Sequence, residues 1–149
     1  MNFLVDTNLL LRLVHPGSSF RPQAIQAVRT ILNRGDQIVF TPQNAVEFWS
    51  VATRPVIANG LNFTPGLADR ALLRFDGVFD FLPDNAAIHV EWRKMVLSCN
   101  VSGRQVHDAR LAAVMRVHGI THLLTFNTAD FLRYPGITVV HPQDVTSSP

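Results

Sequence analysis

The strongest constraint on this chain is a rhythm. Short apolar runs rich in β-branched residues alternate with longer stretches whose apolar residues recur at helical spacing. "FLVD" (3–6), "QIVFT" (37–41), "THLLTF" (121–126) and "ITVVHP" (137–142) read as strands, and "FDFLP" (79–83) alternates as a short strand does. Residues 22–34 place Ile25, Val28, Ile31 and Leu32 at helical spacing, with Pro22 suited to a first turn and Gly35 to a stop. Thr41 and Pro42 read as the cap and first turn of a helix running through "QNAVEFWSVAT" to about Arg54-Pro55. Further helices are expected over about 66–76, over 84–99 with Asp84 as cap, and from His107 to a stop at Gly119. Residues 56–66 and "NVSGRQV" read as loops, and 127–136 as a connection with one helical turn. Strands alternating with helices of these lengths imply crossover units and a parallel sheet.

At 149 residues the chain suits one domain, and its 47% hydrophobic content suits a packed core without disulfides or metal. The single Cys99 cannot form an internal bridge, which fits a reducing compartment. The N-terminus lacks the basic flank and apolar run of a signal peptide, and no apolar stretch approaches the roughly 18 residues of a membrane span. A cytoplasmic protein is expected. The net charge of +2 is too small to point to a polyanionic partner without clustering.

In an open parallel sheet, sites form beyond the carboxyl ends of the strands. Only 11 acidic residues are present, and several fall there. Asp6 ends the first strand, while Asn127 and Asp130 follow the fourth. Helices returning antiparallel to the strands begin on the same edge, which brings in Glu47 on the second turn of one and Asp108 at the start of another. Each has an ordinary alternative. Asp6 and Asp108 would serve as helix caps, Glu47 as a solvated helix residue, and Asp130 as a turn residue. What sets them apart is that four independent placements share one edge. Carboxylates gathered there repel, by about 4 kcal/mol for two unit charges 4 Å apart at an effective dielectric near 20. They must take up protons or bind a cation, and oxygen-only ligands favour Mg²⁺ or Mn²⁺. Such a centre is equipped to hydrolyse a phosphodiester.

Other chemistries find less support. No Gly-rich loop follows the first strand, against a nucleotide-binding fold. The six histidines form no zinc pattern, and His107 beside Asp108 reads as structural or surface. Cys99 has no evident activating partner. Trp49 and Trp92 read as core anchors.

The stretches "VDTNLLLRL", "NAVEFWSVA", "VHDARLAAVMRVHG" and "HLLTFNTADFLRYPGITVVHP" together resemble the PIN-domain family, most closely the VapC-type toxins of bacterial toxin–antitoxin pairs, over residue 2 to about 142. The resemblance implies an α/β fold, a three-layer α/β/α sandwich around a five-stranded parallel sheet, filling residues 1–142 and leaving 143–149 as a C-terminal tail. It implies a Mg²⁺-dependent ribonuclease (Mn²⁺ serving as an alternative) that cuts single-stranded RNA, commonly a homodimer with a cognate antitoxin. Carried onto this sequence, Asp6 and Asp108 would hold the metal, Glu47 would orient or deprotonate water, and Asp130 would complete the acidic set. Asn8, Thr125 and Asn127 match supporting positions. The chain departs from many relatives at Asn127, where they carry an acid.

Arg12, Arg104 and Arg110 lie near the same edge by sequence and could grip phosphates, or simply form a solvated basic face. Two other readings compete. One is a catalytically inactive PIN-fold module that binds nucleic acid or protein. The other is a phosphohydrolase with an Asp nucleophile, as in haloacid-dehalogenase-like enzymes. These expect a second Asp where Asn8 stands and a catalytic Lys, and the only lysine here is Lys94.

Overall fold

A computed structural model describes residues 1–147. Five parallel strands, β1 (Asn2–Val5), β2 (Gln37–Phe40), β3 (Asp80–Phe81), β4 (His122–Leu124) and β5 (Thr138–Val140), form one sheet in the order β3-β2-β1-β4-β5. β1 is central, with Leu4 paired to Val39 on one side and to Leu123 on the other. Among the described residues, seven α-helices complete the fold: α1 (Thr7–Val14), α2 (Arg21–Asn33), α3 (Pro42–Ala52), α4 (Pro65–Asp76), α5 (Ala86–Ser98), α6 (Val106–His118) and α7 (Pro142–Ser147). The expected α/β sandwich around a five-stranded parallel sheet is therefore present.

Strand side chains alternate between faces, so one strand feeds two cores. Phe3, Val5, Ile38, Phe40 and Leu124 join one cluster with residues of α1 to α4. Leu4, Val39 and Leu123 turn the other way and pack on Met95 of α5 and on Leu111, Ala112 and Met115 of α6. Both faces of the sheet are thus covered, as an all-parallel sheet requires.

Local signals account for most of the helix ends. Thr41 caps α3 reciprocally with Asn44: the Asn44 backbone N–H donates to Thr41 Oγ1 at 3.2 Å, and the Thr41 N–H donates to Asn44 Oδ1 at 2.9 Å. Gly119 ends α6 at φ 68°, a left-handed conformation that glycine adopts without a Cβ clash.

Two readings need correction. Asp84 does not cap α5. Asn85 does, its Oδ1 accepting from the Ala87 N–H at 2.9 Å, and Asp84 pairs with Arg110 instead. A one-residue shift of this kind is invisible in "DN", since both residues cap well. Nor is 143–149 a tail throughout. Residues up to Ser147 form α7, which packs on α2, buries Val145, and offers the Val145 carbonyl to Arg34 Nη2 at 3.1 Å. A helix of six residues whose buried positions are Pro142 and Val145 has too little periodicity to declare itself. The rest of the expected loose segment, residues 148–149, lies outside the described residues. Tryptophans behave only partly as expected: Trp92 is half-buried against the second core, while Trp49 is half-buried and joins neither cluster.

Candidate active site

The carboxyl end of the sheet is where the acids meet. β1 ends at Val5, so the next residue, Asp6, stands at the rim in extended conformation before α1 begins. It occupies a cap position but makes no capping hydrogen bond. Its Oδ2 instead accepts from Thr125 Oγ1 at 2.7 Å and from Asn8 Nδ2 at 2.7 Å. Thr125 comes directly after β4, the strand beside β1, so parallel pairing delivers it there. Its hydroxyl also accepts from Asn8 Nδ2 at 3.1 Å and from the Asn127 N–H at 3.0 Å. With its lone pairs taken by two donors, its own proton is directed at Asp6.

Glu47 projects from α3, and both its oxygens are engaged. Thr7 Oγ1 donates to Oε2 at 2.9 Å and Gln43 Nε2 to Oε1 at 2.9 Å. His107 Nδ1 lies 3.7 Å from Oε1, so this histidine does reach the site. The Thr7 side chain therefore bridges to α3, while its backbone N–H and Asn8 Nδ2 both bond back to the Asp6 carboxylate. Asn44 anchors α3 from beneath, its Nδ2 donating to the Val5 carbonyl at 3.1 Å and to Thr7 Oγ1 at 3.3 Å. Asp108 lies in the first turn of α6, inside the helix rather than at its cap. Asp130 sits in a single 3-10 turn, Thr128–Phe131, that follows β4.

A cleft of about 700 Å³ covers this ground, lined among others by Thr7, Asn8, Glu47, Asp108, Asn127 and Asp130. Asp6 does not itself line the cleft; it is buried, 9% exposed, directly before the lining residues Thr7 and Asn8. Burial pushes the Asp6 carboxyl up to about 6 from an ordinary 3.8, against the lowering pull of the Thr125 hydroxyl, with Glu47 and Asp130 adding repulsion. Asp108 also rises to about 6, through burial and then repulsion from Asp6, Asp130 and Glu47, partly offset by His107. Asp6 and Asp108 are thus both raised by repulsion from Glu47 and Asp130, although the four acids come from separate elements.

Among the described residues, no three His, Cys, Asp or Glu side chains are grouped to grip one metal ion directly. The donors fit a different arrangement: a hard cation held by one or two carboxylates, with water filling the remaining positions, as Mg²⁺ favours. The donors along the cleft are mainly carboxylate, amide and hydroxyl oxygens, which suit that ion better than a caged Zn²⁺.

The arginines divide. Arg104 lines the cleft, and so does Arg54, which sequence reading passed over. Arg12 lines a neighbouring cavity of about 480 Å³ that shares Asn8 and Leu11 with the cleft, and its guanidinium rests over the Phe20 ring at 5.1 Å. Arg110 is already engaged by Asp84 and Gln43, which leaves it poorly placed to grip a phosphate. Lys94 is exposed on α5 and paired with Glu91 at 3.8 Å, so it offers nothing to a phosphohydrolase of the aspartyl-nucleophile type.

An acidic cleft at the carboxyl edge of a β3-β2-β1-β4-β5 parallel sheet defines a class of α/β proteins with a candidate metal-assisted centre. The sequence matches the PIN domain over residues 3–137, and the chain belongs to that family. No curated protein matches it in sequence. Solved structures do match in fold. VapBC-1 from nontypeable Haemophilus influenzae aligns with a TM-score of 0.72 at 15% identity, covering 96% of this chain and 99% of that one. A toxin–antitoxin complex from Klebsiella pneumoniae gives 0.64 at 23% identity, covering 93% and 96%. VapC20 of Mycobacterium tuberculosis, described as a sarcin–ricin loop cleaving toxin, gives 0.62 at 19% identity, covering 81% and 86%. Among the described residues no helix is long and apolar enough to cross a membrane.

Proposed function

We propose that this PIN-domain protein is a divalent-metal-dependent endoribonuclease acting on single-stranded RNA. The observation that carries the reading is that Glu47, Asp108 and Asp130 line one cleft and act electrostatically on buried Asp6 or are acted on by it, with the Asp6 and Asp108 carboxyls raised to about 6. A protein keeps such mutual repulsion where function needs it.

Asp6 and Asp108 are the residues that would hold Mg²⁺, or Mn²⁺ in its place. When bound, the ion would neutralise charge on the scissile phosphate and acidify the attacking water. Thr125 and Asn8 fix the orientation of the Asp6 carboxylate by the two bonds at its Oδ2. Glu47, with each oxygen already accepting one hydrogen bond, has lone pairs left to orient water and take its proton. Asp130 and Asn127 border the cleft opposite α3 and complete its polar wall. Arg54 and Arg104 bind the flanking phosphates, which positions a strand without reading its sequence.

The biological role follows by extension from the solved relatives, which include toxin–antitoxin complexes. On that basis we read the chain as the toxin of such a pair, held in check by a cognate antitoxin; a cytoplasmic homodimer is what the family resemblance of the sequence implies. The competing reading is a PIN-fold binding module without turnover.

Incubation of the purified protein with single-stranded RNA, with EDTA and with Mg²⁺ or Mn²⁺, tests the chemistry. Cleavage that needs the cation and disappears in Asp6→Asn supports it. Binding of RNA without cleavage at any cation concentration supports the module instead.

A further inference from the structure

We propose that Gln43 is a positioning residue for Glu47, locked in orientation by Arg110, and that it governs how tightly the acidic cleft holds a divalent cation. The inference rests on the metal-dependent reading of the cleft.

Glu47 is a long side chain with several rotatable bonds, and neighbouring carboxylates repel it. Left alone it would swing away from Asp6 and Asp108. Gln43 lies one turn earlier on α3, and its Nε2 donates to Glu47 Oε1 at 2.9 Å. The direction of that amide is not arbitrary. Arg110 carries only donors, and its Nη1 lies 3.1 Å from Gln43 Oε1, so this end of the amide must be the carbonyl. The other end is therefore the NH₂, and its two hydrogens have two acceptors: Glu47 Oε1 and the His107 carbonyl, the latter also at 2.9 Å.

The second acceptor gives the arrangement its function. His107 precedes Asp108 in the first turn of α6. One neutral side chain thus links the Glu47 carboxylate to the backbone that carries Asp108, and so fixes the spacing of two mutually repelling acids. Arg110 is itself anchored, its Nη2 donating to Asp84 Oδ2 at 2.9 Å. The order of the brace is Asp84, Arg110, Gln43, Glu47. A glutamate in place of Gln43 would have no proton to give to Glu47, and an asparagine would be one carbon too short to span both helices.

Titration calorimetry with Mn²⁺ tests this on wild type, on Gln43→Met (similar length, no donor or acceptor), on Arg110→Met and on the double variant. Each single change is expected to weaken Mn²⁺ binding on the order of tenfold, the range found for outer-shell partners, because the Gln43 bond to the His107 carbonyl sets the position of the adjacent ligand Asp108. The double variant should be no weaker than the worse single one, because Arg110 acts through Gln43. Melting temperatures should stay within a few degrees, and kcat on RNA should fall while KM holds within about twofold. A merely structural Gln43 would move the melting temperature and leave Mn²⁺ affinity alone. Mn²⁺ binding by Gln43→Met within twofold of wild type, or losses that multiply in the double variant, overturns the proposal. Should Gln43→Met fail to fold, Arg110→Met carries the same calorimetric criterion without altering α3. Tight Mn²⁺ binding by a wild-type protein that never cuts RNA would sink the nuclease reading while still judging Gln43.

Discussion

Thr125 Oγ1 donates a 2.7 Å hydrogen bond to Asp6 Oδ2 across 119 positions of sequence. The bond exists because β1 and β4 are parallel neighbours that end at the same level. It fixes a buried carboxylate beside the cleft-lining Asn8 and favours its charged form against the desolvation that disfavours it.

Asp6→Asn separates stability from function. A rise in pKa from 3.8 to about 6 means that ionised Asp6 opposes folding at neutral pH, by up to about 3 kcal/mol. Asparagine keeps the shape and an acceptor for Thr125 and Asn8 without the charge. The variant is expected to melt several degrees higher than wild type at pH 7.5 without added cation, while losing RNA cleavage by at least about two orders of magnitude. Calorimetry and a cleavage assay on the same preparation check both halves.

Proton binding fixes a pH dependence of opposite sign to the usual carboxylate case. Folding raises the pKa of Asp6 and Asp108 to about 6, so between pH 3.8 and about 6 the folded chain holds more protons than the unfolded one. These two groups therefore make stability fall as pH rises through that window, and the effect levels off above it. The comparison of wild type with an Asp6→Asn, Asp108→Asn protein, melted without cation from pH 4.5 to 8, isolates it. Their difference should widen up to about pH 6 to 7. Added Mg²⁺ should narrow the gap at pH 7.5 and have little effect at pH 5, where protons occupy the carboxylates.

Thr125→Val removes the hydroxyl and leaves its size nearly unchanged. The Asn127 N–H and one Asn8 hydrogen lose an acceptor, and Asp6 loses the donor that lowers its pKa. A loss of about 1–3 kcal/mol is expected by denaturant unfolding. The acid limb of the rate profile should move to higher pH, since the Asp6 carboxyl would then titrate later.

Arg54 and Arg104 line the cleft without acidic partners of their own among the described contacts, and their removal should act on RNA binding alone. Arg54→Ala or Arg104→Ala is expected to weaken binding several-fold regardless of sequence. Each should reduce the slope of log K against log salt by about 0.7, the value for one phosphate contact on a single strand. Fluorescence anisotropy on an RNA oligomer at several salt concentrations measures it.

Val145 tests whether α7 belongs to the domain. Its side chain is 5% exposed within the first core, so Val145→Ala should cost about 2 kcal/mol in thermal or denaturant unfolding. A change within 0.3 kcal/mol would mean that residues 142–147 contribute little to the fold.

Sheet and crossover pattern, the placement of most helices, and the four acids as a set were legible in the order of residues. Period-2 and period-3.6 patterning and turn chemistry are local, and a parallel sheet with antiparallel return helices puts their ends on one predictable edge. The departures came where local rules do not discriminate: Asn85 displacing Asp84 as a cap, and a short α7 held by buried Pro142 and Val145 and a bond from Arg34. Nothing nearby in sequence marks Gln43, Asn44 or Arg54 as different from any other polar helix residue. Their roles arise from neighbours tens of positions away: the His107 carbonyl, the end of β1, and the cleft wall. Likewise, "DTN" announces a carboxylate at a strand end, but its burial, its Thr125 partner and its raised pKa exist only once β1 and β4 lie side by side. Chemical type and periodicity travel with the chain. Hydrogen-bond partners and desolvation belong to the space between elements, and packing alone assigns them.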